Sequence, residues 1–412
     1  MKKFYILLVA LFLVNGAMGQ WFPQNSGTTK NLFSVHFTDA NTGYAVGDSG
    51  IILKTTNGGT NWTPQNSGAT RCLASVYFPS NDTGYAVGSD TIIYKTTDGG
   101  ITWTSRPFSK GWYFSSVFFT NVDTGYVVGG HTYYIPPSSY AAILKTVDGG
   151  TNWSNWYEYS YNWSVFSSVY FTDANTGYVV GSAPYGMGST ILKTVDAGLS
   201  WSINPIGGII PKSVYFPATD LGYIVGSDNL QGTGEYNLGK TTNGDGNWTF
   251  QNIGISDTLT SVYFTDTEKG YVVSQSGIIR KTQNGGTDWT IQYSDSAIRL
   301  SSVYFVDENI GYVVGNSGTI LKTTNGGYVG INDKHQTVNT PTICPNPAND
   351  KITVETPAKG NLSIHSINGQ QLLQQEITEP TTTINVNTLP SGVYFVRVTS
   401  DKNVQVGKFI KQ

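Results

Sequence analysis

Short runs of alternating apolar and polar residues, separated by glycine-rich turns, recur along most of the chain. One unit contains an aromatic run (SVHF, 34–37), then a Gly-Tyr pair, then an apolar run that ends in Lys-Thr (IILKT, 51–55). A turn of the form TTNGGTNW then leads to a tryptophan, which is Trp62 in this unit. Period-2 alternation bounded by Asn, Asp and Gly turns predicts short β-strands, about four in each unit.

This unit is an internal repeat. Its Gly-Tyr tyrosine recurs at intervals of 41, 41, 52, 45, 48 and 41 residues. Repeats of about 40–45 residues with four strands are typical of β-propeller blades, each of which needs neighbours to cover its sheet. We therefore predict an all-β protein with a seven-bladed β-propeller over residues 20–330. The repeat tyrosines are Tyr44, Tyr85, Tyr126, Tyr178, Tyr223, Tyr271 and Tyr312.

The last unit lacks its outer strand. Trp62 follows Tyr44 by 18 residues, but the corresponding position after Tyr312 is Gly330. Trp21 lies 41 residues before Trp62 and begins WFPQNSG, which closely matches WTPQNSG at Trp62. The N-terminal segment is thus predicted to supply the outer strand of blade seven, which would close the ring and remove exposed sheet edges.

The N-terminal residues have the order of a secretory signal. Lys2 and Lys3 precede an apolar run at 4–14, and small residues follow at 17–19. We predict a signal peptide at 1–19, because this run is shorter than the roughly 20 residues that span a bilayer. No membrane span is expected after cleavage.

The composition changes near residue 340, which predicts a linker at 331–340 and a second domain at 341–412. Alternating residues and turns there predict a small, immunoglobulin-like β-sandwich. The segments PNP (345–347), ING (367–369), LPSGVYF (389–395) and KFIK (408–411) resemble the type A sorting domain of type IX secretion. That resemblance implies contact with the secretion machinery, and a secreted, extracellular or outer-surface location. An ordinary adhesive β-module is the alternative.

The turn before each tryptophan resembles the Asp-box of bacterial-neuraminidase-type repeats, with TTDGGITW at 96–103 as the best match. Asp or Asn at its third position can bond the backbone of its own turn, which favours a structural role. The whole repeat region also resembles the propellers of the photosystem II assembly-factor family. That family's chaperone-like role uses an arginine-rich surface, and a photosynthetic role is not supported here. The predicted propeller contains only Arg71, Arg106, Arg280 and Arg299.

Composition excludes some partners and cofactors. Only 12% of residues are charged, the net charge is −3, and no basic block occurs, so nucleic acid is not an expected partner. Cys72 and Cys344 are too few and too distant for a zinc site, and His36 and His131 have no identifiable co-ligands. We expect no metal and no cofactor.

Aromatic residues concentrate in long segments of units three to five. These are the predicted loops 129–142, 181–190 and 226–237 and the connections 106–114 and 154–163, all expected on one face. Aromatic rings with polar edges suit glycans and protein surfaces, and the alternative is that they pack their own loops. The candidate ligand residues are Trp112, Tyr113, Tyr133, Tyr134, Tyr140, Trp156, Tyr157, Tyr159, Tyr161, Trp163, Tyr185 and Tyr236.

These features favour a secreted or surface module that binds a glycan or surface protein. The alternative is a polysaccharide-active glycoside hydrolase of the Asp-box propeller type. Such an enzyme needs two carboxyl groups about 5–10 Å apart. Glu158 and Glu235 fall in the aromatic segments and are weak candidates, so no catalytic residue is predicted.

The third strand of every unit ends in Lys-Thr, so each unit carries a lysine at the second-last position of this strand. We expect its stem to lie along the blade edge and its charge to remain in water. These residues are Lys54, Lys95, Lys145, Lys193, Lys240, Lys281 and Lys322.

Overall fold

A computed structural model of the chain describes residues 21–327 and 341–412, apart from 90, 109–110, 135–136, 160–164, 183–187, 229–236, 245–246, 256, 357–359, 367–369 and 400–403. In 131–134, 137–140, 155–159 and 404 it describes the backbone alone. The chain divides into two compact units, Met1–Gly330 and Ile331–Gln412. Among the described residues, no helix is long and apolar enough to span a membrane.

The described part of the first unit contains seven four-stranded antiparallel sheets. The first described strand is β1 (Phe22–Pro23). Blades 1 to 3 are β2 (Leu32–Phe37), β3 (Gly43–Gly47), β4 (Ile52–Thr55), β5 (Thr63–Gln65); β6 (Leu73–Tyr77), β7 (Gly84–Gly88), β8 (Ile92–Thr96), β9 (Thr104–Pro107); and β10 (Tyr113–Phe119), β11 (Gly125–Tyr134), β12 (Pro137–Thr146), β13 (Ser154–Tyr159).

Blades 4 to 6 have the same order. They are β14 (Val165–Phe171), β15 (Gly177–Ser182), β16 (Ser189–Thr194), β17 (Ser202–Ile206); β18 (Ile209–Tyr215), β19 (Gly222–Asp228), β20 (Leu238–Thr241), β21 (Thr249–Gln251); and β22 (Leu259–Phe264), β23 (Gly270–Ser274), β24 (Ile278–Thr282), β25 (Thr290–Ser294). Blade 7 contains β26 (Leu300–Phe305), β27 (Gly311–Gly315) and β28 (Ile320–Thr323). Single 3₁₀ turns at Asp48–Gly50 and Asn316–Gly318 join strands two and three of blades 1 and 7.

The N-terminal strand completes blade 7. β1 pairs antiparallel with β28, with Phe22 opposite Lys322 and Pro23 opposite Leu321, and the Gln24 amide donates to the Ile320 carbonyl at 2.8 Å. The innermost strands contact one another in sequence order, and β26 contacts β2. The sheets therefore form a closed ring, and the predicted seven-bladed propeller is confirmed.

Each core cluster of the propeller lies between two blades. Tyr312 of blade 7 stacks on Phe37 of blade 1, with ring centroids 3.8 Å apart, and Trp62 meets the edge of Phe37 at 5.9 Å. The glycine of the Gly-Tyr pair gives this phenylalanine its space, because a Cβ on Gly43 would lie 2.4 Å from the Phe37 ring. The repeat therefore encodes inter-blade packing.

The repeat lysine and the repeat tyrosine of one blade both bond to the following blade. The Tyr44 hydroxyl and the Lys54 ammonium both donate to the Gly99 carbonyl, at 2.7 and 2.6 Å. The expectation that these lysine charges lie in water is therefore wrong. The same pairing occurs at Gly149 (Tyr85, Lys95), Ala197 (Tyr126, Lys145), Gly285 (Tyr223, Lys240), Gly326 (Tyr271, Lys281) and Gly58 (Tyr312, Lys322).

This shared acceptor predicts non-additive mutations. Tyr85→Phe or Lys95→Met alone leaves the Gly149 carbonyl with one donor, and we expect each to cost about 1 kcal/mol of unfolding free energy. The double variant leaves a buried carbonyl without either donor, so its cost should exceed the sum by about 1 kcal/mol. Urea unfolding measures both. The control pair is Tyr85→Phe with Lys54→Met, because Lys54 donates to the Gly99 carbonyl instead, and the effects of these two changes on unfolding free energy should be additive. The same non-additivity in both double variants would contradict the shared-acceptor explanation.

The second unit is a two-sheet sandwich. One sheet has the order β29 (Thr342–Cys344), β30 (Lys351–Glu355), β33 (Thr381–Asn385), and the other has the order β32 (Gln371–Ile377), β31 (Gly360–Ser366), β34 (Gly392–Thr399), β35 (Val404–Lys411). Alternate residues such as Ile352, Leu362, Val396 and Phe409 form one buried cluster between them. The β-sandwich prediction is confirmed, and its immunoglobulin-like topology stays a prediction.

Candidate functional site

Every innermost strand begins with a β-bulge. In β2 the register shifts between Leu32 and Ser34, which leaves Phe33 as the extra residue. A β-bulge changes the direction of the side chains around it. Here the bulges lie near the start of each innermost strand, at one end of the channel that these strands enclose around the propeller axis. The equivalent residues in blades 2 to 7 are Ala74, Ser115, Ser167, Lys212, Thr260 and Ser301.

The serine after each of five bulges fixes this part of the ring. Ser34 Oγ accepts a hydrogen bond from the Val76 amide of the next blade at 3.2 Å. Ser75, Ser116, Ser168 and Ser261 accept equivalent bonds from Val117, Val169, Val214 and Val303. The bulge residues are thus presented from a rigid base.

A cavity of about 490 Å³ lies at this end of the channel. Residues from blades 1, 3, 5, 6 and 7 line it together, so it spans the propeller axis. We call it the channel mouth. Its lining residues are Asn31, Phe33, Tyr113, Lys212, Thr260, Gln275, Arg299, Leu300, Ser301 and Asn316.

The charged side chains that line the channel mouth are both cationic. Lys212 and Arg299 are exposed, and in the described part of the chain neither side chain forms an ion pair or hydrogen bond. The Arg299 backbone is fixed, because its amide donates to Asn316 Oδ1 at 2.8 Å and its carbonyl accepts from the Asn316 amide at 2.9 Å. The described lining of the mouth therefore carries two positive charges on a protein of net charge −3.

Amides at the mouth are also oriented. Asn31 Nδ2 donates to Asp48 Oδ2 at 2.7 Å, and Asn31 Oδ1 accepts from the Ser317 amide at 3.0 Å. Asn316 Oδ1 accepts from Arg299, so the Nδ2 group of Asn316 is left as a donor, and it bonds no other described residue. Donors that are already placed lose little entropy on binding a ligand.

Further along the inner strands, a ring of aromatic side chains surrounds the channel axis. Neighbouring ring centroids are 4.7–5.4 Å apart around the whole circle. Burial lowers the pKa of His36 to about 3 and raises that of Tyr77 to about 12, so this ring is uncharged at neutral pH. Its members are His36, Tyr77, Phe118, Tyr170, Tyr215, Tyr263 and Tyr304.

Two of the predicted ligand residues have described side chains. Tyr113 is 43% exposed and lines the channel mouth, and partial burial raises its pKa. Trp112 is 6% exposed and packs in the cluster that contains Tyr85 and Phe114. Its ring contributes to the core between blades 2 and 3, and its role in binding stays a prediction.

The other candidates lie where side chains are not described or outside the described residues. The predicted loop 129–142 is mostly strand, because β11 and β12 continue as a hairpin of ten-residue strands. Tyr133, Tyr134, Tyr140, Trp156, Tyr157, Tyr159 and Glu158 have described backbone alone. Tyr161, Trp163, Tyr185, Tyr236 and Glu235 lie outside the described residues. Their roles stay predictions.

Lys212 and Arg299 were missed by sequence reasoning. A signal existed in the repeat alignment, since Lys212 stands where the other blades have Phe, Ala, Ser or Thr. Across the positions that the structure describes, no cluster of three or more His, Cys, Asp or Glu could hold a metal ion.

Comparison with known families identifies both parts of the chain. The family described as photosynthesis system II assembly factor YCF48 matches residues 14–112, 68–157 and 240–340, together more than half of the chain. The chain belongs to the YCF48 family. The secretion system C-terminal sorting domain matches residues 342–412, so this YCF48-family protein is secreted or displayed at the cell surface.

Solved structures share the fold of this YCF48-family chain. The structure of YCF48 bound to D1 peptide has a TM-score of 0.59 and 18% identity, covering 74% of this chain and 97% of that one. YCF48 from Cyanidioschyzon merolae gives 0.59 and 19%, covering 74% and 98%. The GH74 xyloglucanase from Xanthomonas campestris gives 0.57 and 12%, covering 95% and 67%. Identities this low establish the fold alone. No curated protein matches the chain in sequence.

Proposed function

We propose that the propeller of this exported protein is a binding module that holds a segment of a surface protein at the channel mouth. The observation that carries the proposal is the cavity itself, an open concave site of about 490 Å³ with oriented polar groups and exposed Tyr113. Ligand sites are generally concave, with a few placed polar groups among apolar and aromatic walls. One family member was solved with a peptide bound, which supports a peptide-like ligand.

A hydrolase is the weaker alternative. Glycoside hydrolysis needs a pair of carboxyl groups that flank the bond to be cleaved. The described residues that line the channel mouth carry no carboxylate, and the charged ones among them are Lys212 and Arg299. A binding role therefore suits this site better than catalysis on sugars.

A glycan is the second candidate ligand. The extended hairpin of β11 and β12 carries Tyr133, Tyr134 and Tyr140 in the blade that also supplies Tyr113. Tyrosine rings stack on the C–H faces of sugars and hydrogen-bond to hydroxyl groups. The experiment below separates the two ligand classes.

The test compares peptide and glycan binding by the whole exported protein. We expect selected peptides from outer-surface proteins to bind on an array, and polysaccharides to remain uncleaved. Ser301→Trp should abolish binding by filling the mouth. Val147→Trp should not, because Val147 is 66% exposed in a turn between the third and fourth strands, at the opposite end of the blade. Glycan binding without peptide binding would favour the second candidate, and polysaccharide cleavage would favour the hydrolase.

A further inference from the structure

We propose that Lys212 and Arg299 form a carboxylate-binding site at the channel mouth, which recognises an acidic side chain or the C-terminal carboxylate of a bound peptide. This inference rests on the proposed function and names the chemistry of its partner. The two cations come from different blades, Lys212 from the bulge of β18 and Arg299 from the connection into β26. Both nevertheless line one cavity.

Among the described residues, Lys212 and Arg299 are two unpaired cations that line the same concave site. An exposed lysine or arginine is ordinarily solvated or paired with a nearby carboxylate, as Lys269 is with Glu308 at 2.7 Å. Lys212 and Arg299 have no such partner in the described parts of the chain, and no Asp or Glu lines the mouth. Two like charges in one concave site repel each other, and a bound anion would relieve that repulsion.

The surrounding groups suit a carboxylate on a peptide. Arginine provides a planar fork that matches a carboxylate, and lysine adds a point charge. Asn316 is fixed by two hydrogen bonds to the Arg299 backbone, one through its side-chain Oδ1 and one through its own amide, and its Nδ2 group can donate to a second oxygen or to a peptide carbonyl. Phe33 and Tyr113 provide rings against which an adjoining side chain can pack.

The size and charge of the mouth exclude a long polyanion as the preferred ligand. A cavity of about 490 Å³ accommodates a few residues of a peptide rather than a helix of nucleic acid. Binding of a polyanion needs a basic stripe, whereas two cations satisfy a single carboxylate and the whole protein is negative. An acidic peptide segment is therefore the ligand class that the site favours.

The probes are four labelled tetrapeptides, tetraglutamate and tetraglutamine, each with a free or an amidated C-terminus. With the whole exported protein at low salt, we expect tetraglutamate to bind at least about tenfold more tightly than amidated tetraglutamine. If only the free C-terminus matters, both free-ended peptides will bind and both amidated ones will not. If side chains matter, both tetraglutamates will bind. Either pattern supports a carboxylate site and identifies its source.

Substitution locates the site. Lys212→Gln and Arg299→Gln should each weaken tetraglutamate binding by about tenfold, and the double variant should bind all four peptides equally. Arg71→Gln is the matched control, because Arg71 is exposed in the connection into β6 and does not line the mouth. All three positions are solvent-exposed, so unchanged thermal unfolding will show that the variants are folded.

Two results would overturn the inference. One is the absence of tetraglutamate binding, and the other is an equal loss in Arg71→Gln and in the two mouth variants. Polygalacturonate binding that depends on Lys212 and Arg299, without peptide binding, would overturn the peptide assignment. The proposed function fails separately. If array peptides bind equally well to the wild type and to the Lys212 and Arg299 variants, the carboxylate site is wrong and the peptide-binding function stands. An array with no bound peptide contradicts the peptide-binding function itself.

Discussion

Replacement of Trp21 with alanine should lower the free energy of unfolding of the propeller by about 3–5 kcal/mol, the usual cost of removing a buried large aromatic side chain. Trp21 is 4% exposed and meets the edges of Phe305 and Tyr271, with ring centroids 5.8 and 6.4 Å apart. It occupies between blades 6 and 7 the place that Trp62 occupies between blades 7 and 1. Its loss therefore leaves a cavity at the closure of the ring.

The N-terminal segment has few backbone hydrogen bonds to add to the packing of the Trp21 side chain. β1 is two residues long and, among the described residues, pairs with β28 alone, so the buried ring of Trp21 is a major part of the attachment of this segment. Trp21 Nε1 is buried without a hydrogen-bond partner among the described residues. The contribution of the side chain is consequently packing, and Trp21→Phe should cost less than Trp21→Ala.

Hydrogen exchange of the amides in β26, β27 and β28, together with urea unfolding, will measure the effect. Phe22→Ala is the matched control, because Phe22 is the next residue along, is 49% exposed, and should change stability by less than about 0.5 kcal/mol. We expect faster exchange in blade 7 for Trp21→Ala alone. Equal exchange and equal stability in both variants would contradict a closing role for Trp21.

The sequence predicts the fold because the repeat residues are those that pack between blades. Gly43, Tyr44 and Trp62 each contact a ring on their own or a neighbouring blade, so they recur wherever a blade recurs. Trp21 is recognisable for the same reason, since it packs between blades 6 and 7 as Trp62 packs between blades 7 and 1, although it precedes the first blade in sequence. The residues that pack between blades therefore recur once in every blade, at intervals of 41 to 52 residues.

The candidate site could not be predicted in the same way. Lys212 and Arg299 are far apart in sequence and belong to no repeat motif, and only closure of the ring brings them to one cavity. The surroundings of the repeat lysines could not be predicted for a related reason. Their acceptor is a carbonyl on the next blade, such as Gly99 for Lys54, and alternation within one strand gives no information about that partner.

Acidification should destabilise the propeller through His36 by roughly 1 kcal/mol for each pH unit below 6.5. Burial lowers the pKa of His36 from 6.5 to about 3, so the folded protein keeps this ring neutral while the unfolded chain binds a proton. The contribution is fully present above pH 6.5 and is lost as the pH falls towards 3. At pH 4 the loss should reach about 3 kcal/mol.

His36→Tyr isolates this effect, because five of the six other members of the aromatic ring are tyrosine. The new hydroxyl can donate to the Phe78 carbonyl, which His36 Nε2 approaches at 3.4 Å, as Tyr77 donates to Phe119. Carboxylates titrate in both proteins, so the informative quantity is the difference in unfolding free energy between wild type and variant from pH 7.5 to 4. It should grow steadily below pH 6.5. A difference that does not change with pH would mean that His36 accepts a proton in the folded channel, and the aromatic ring would then tolerate a charge.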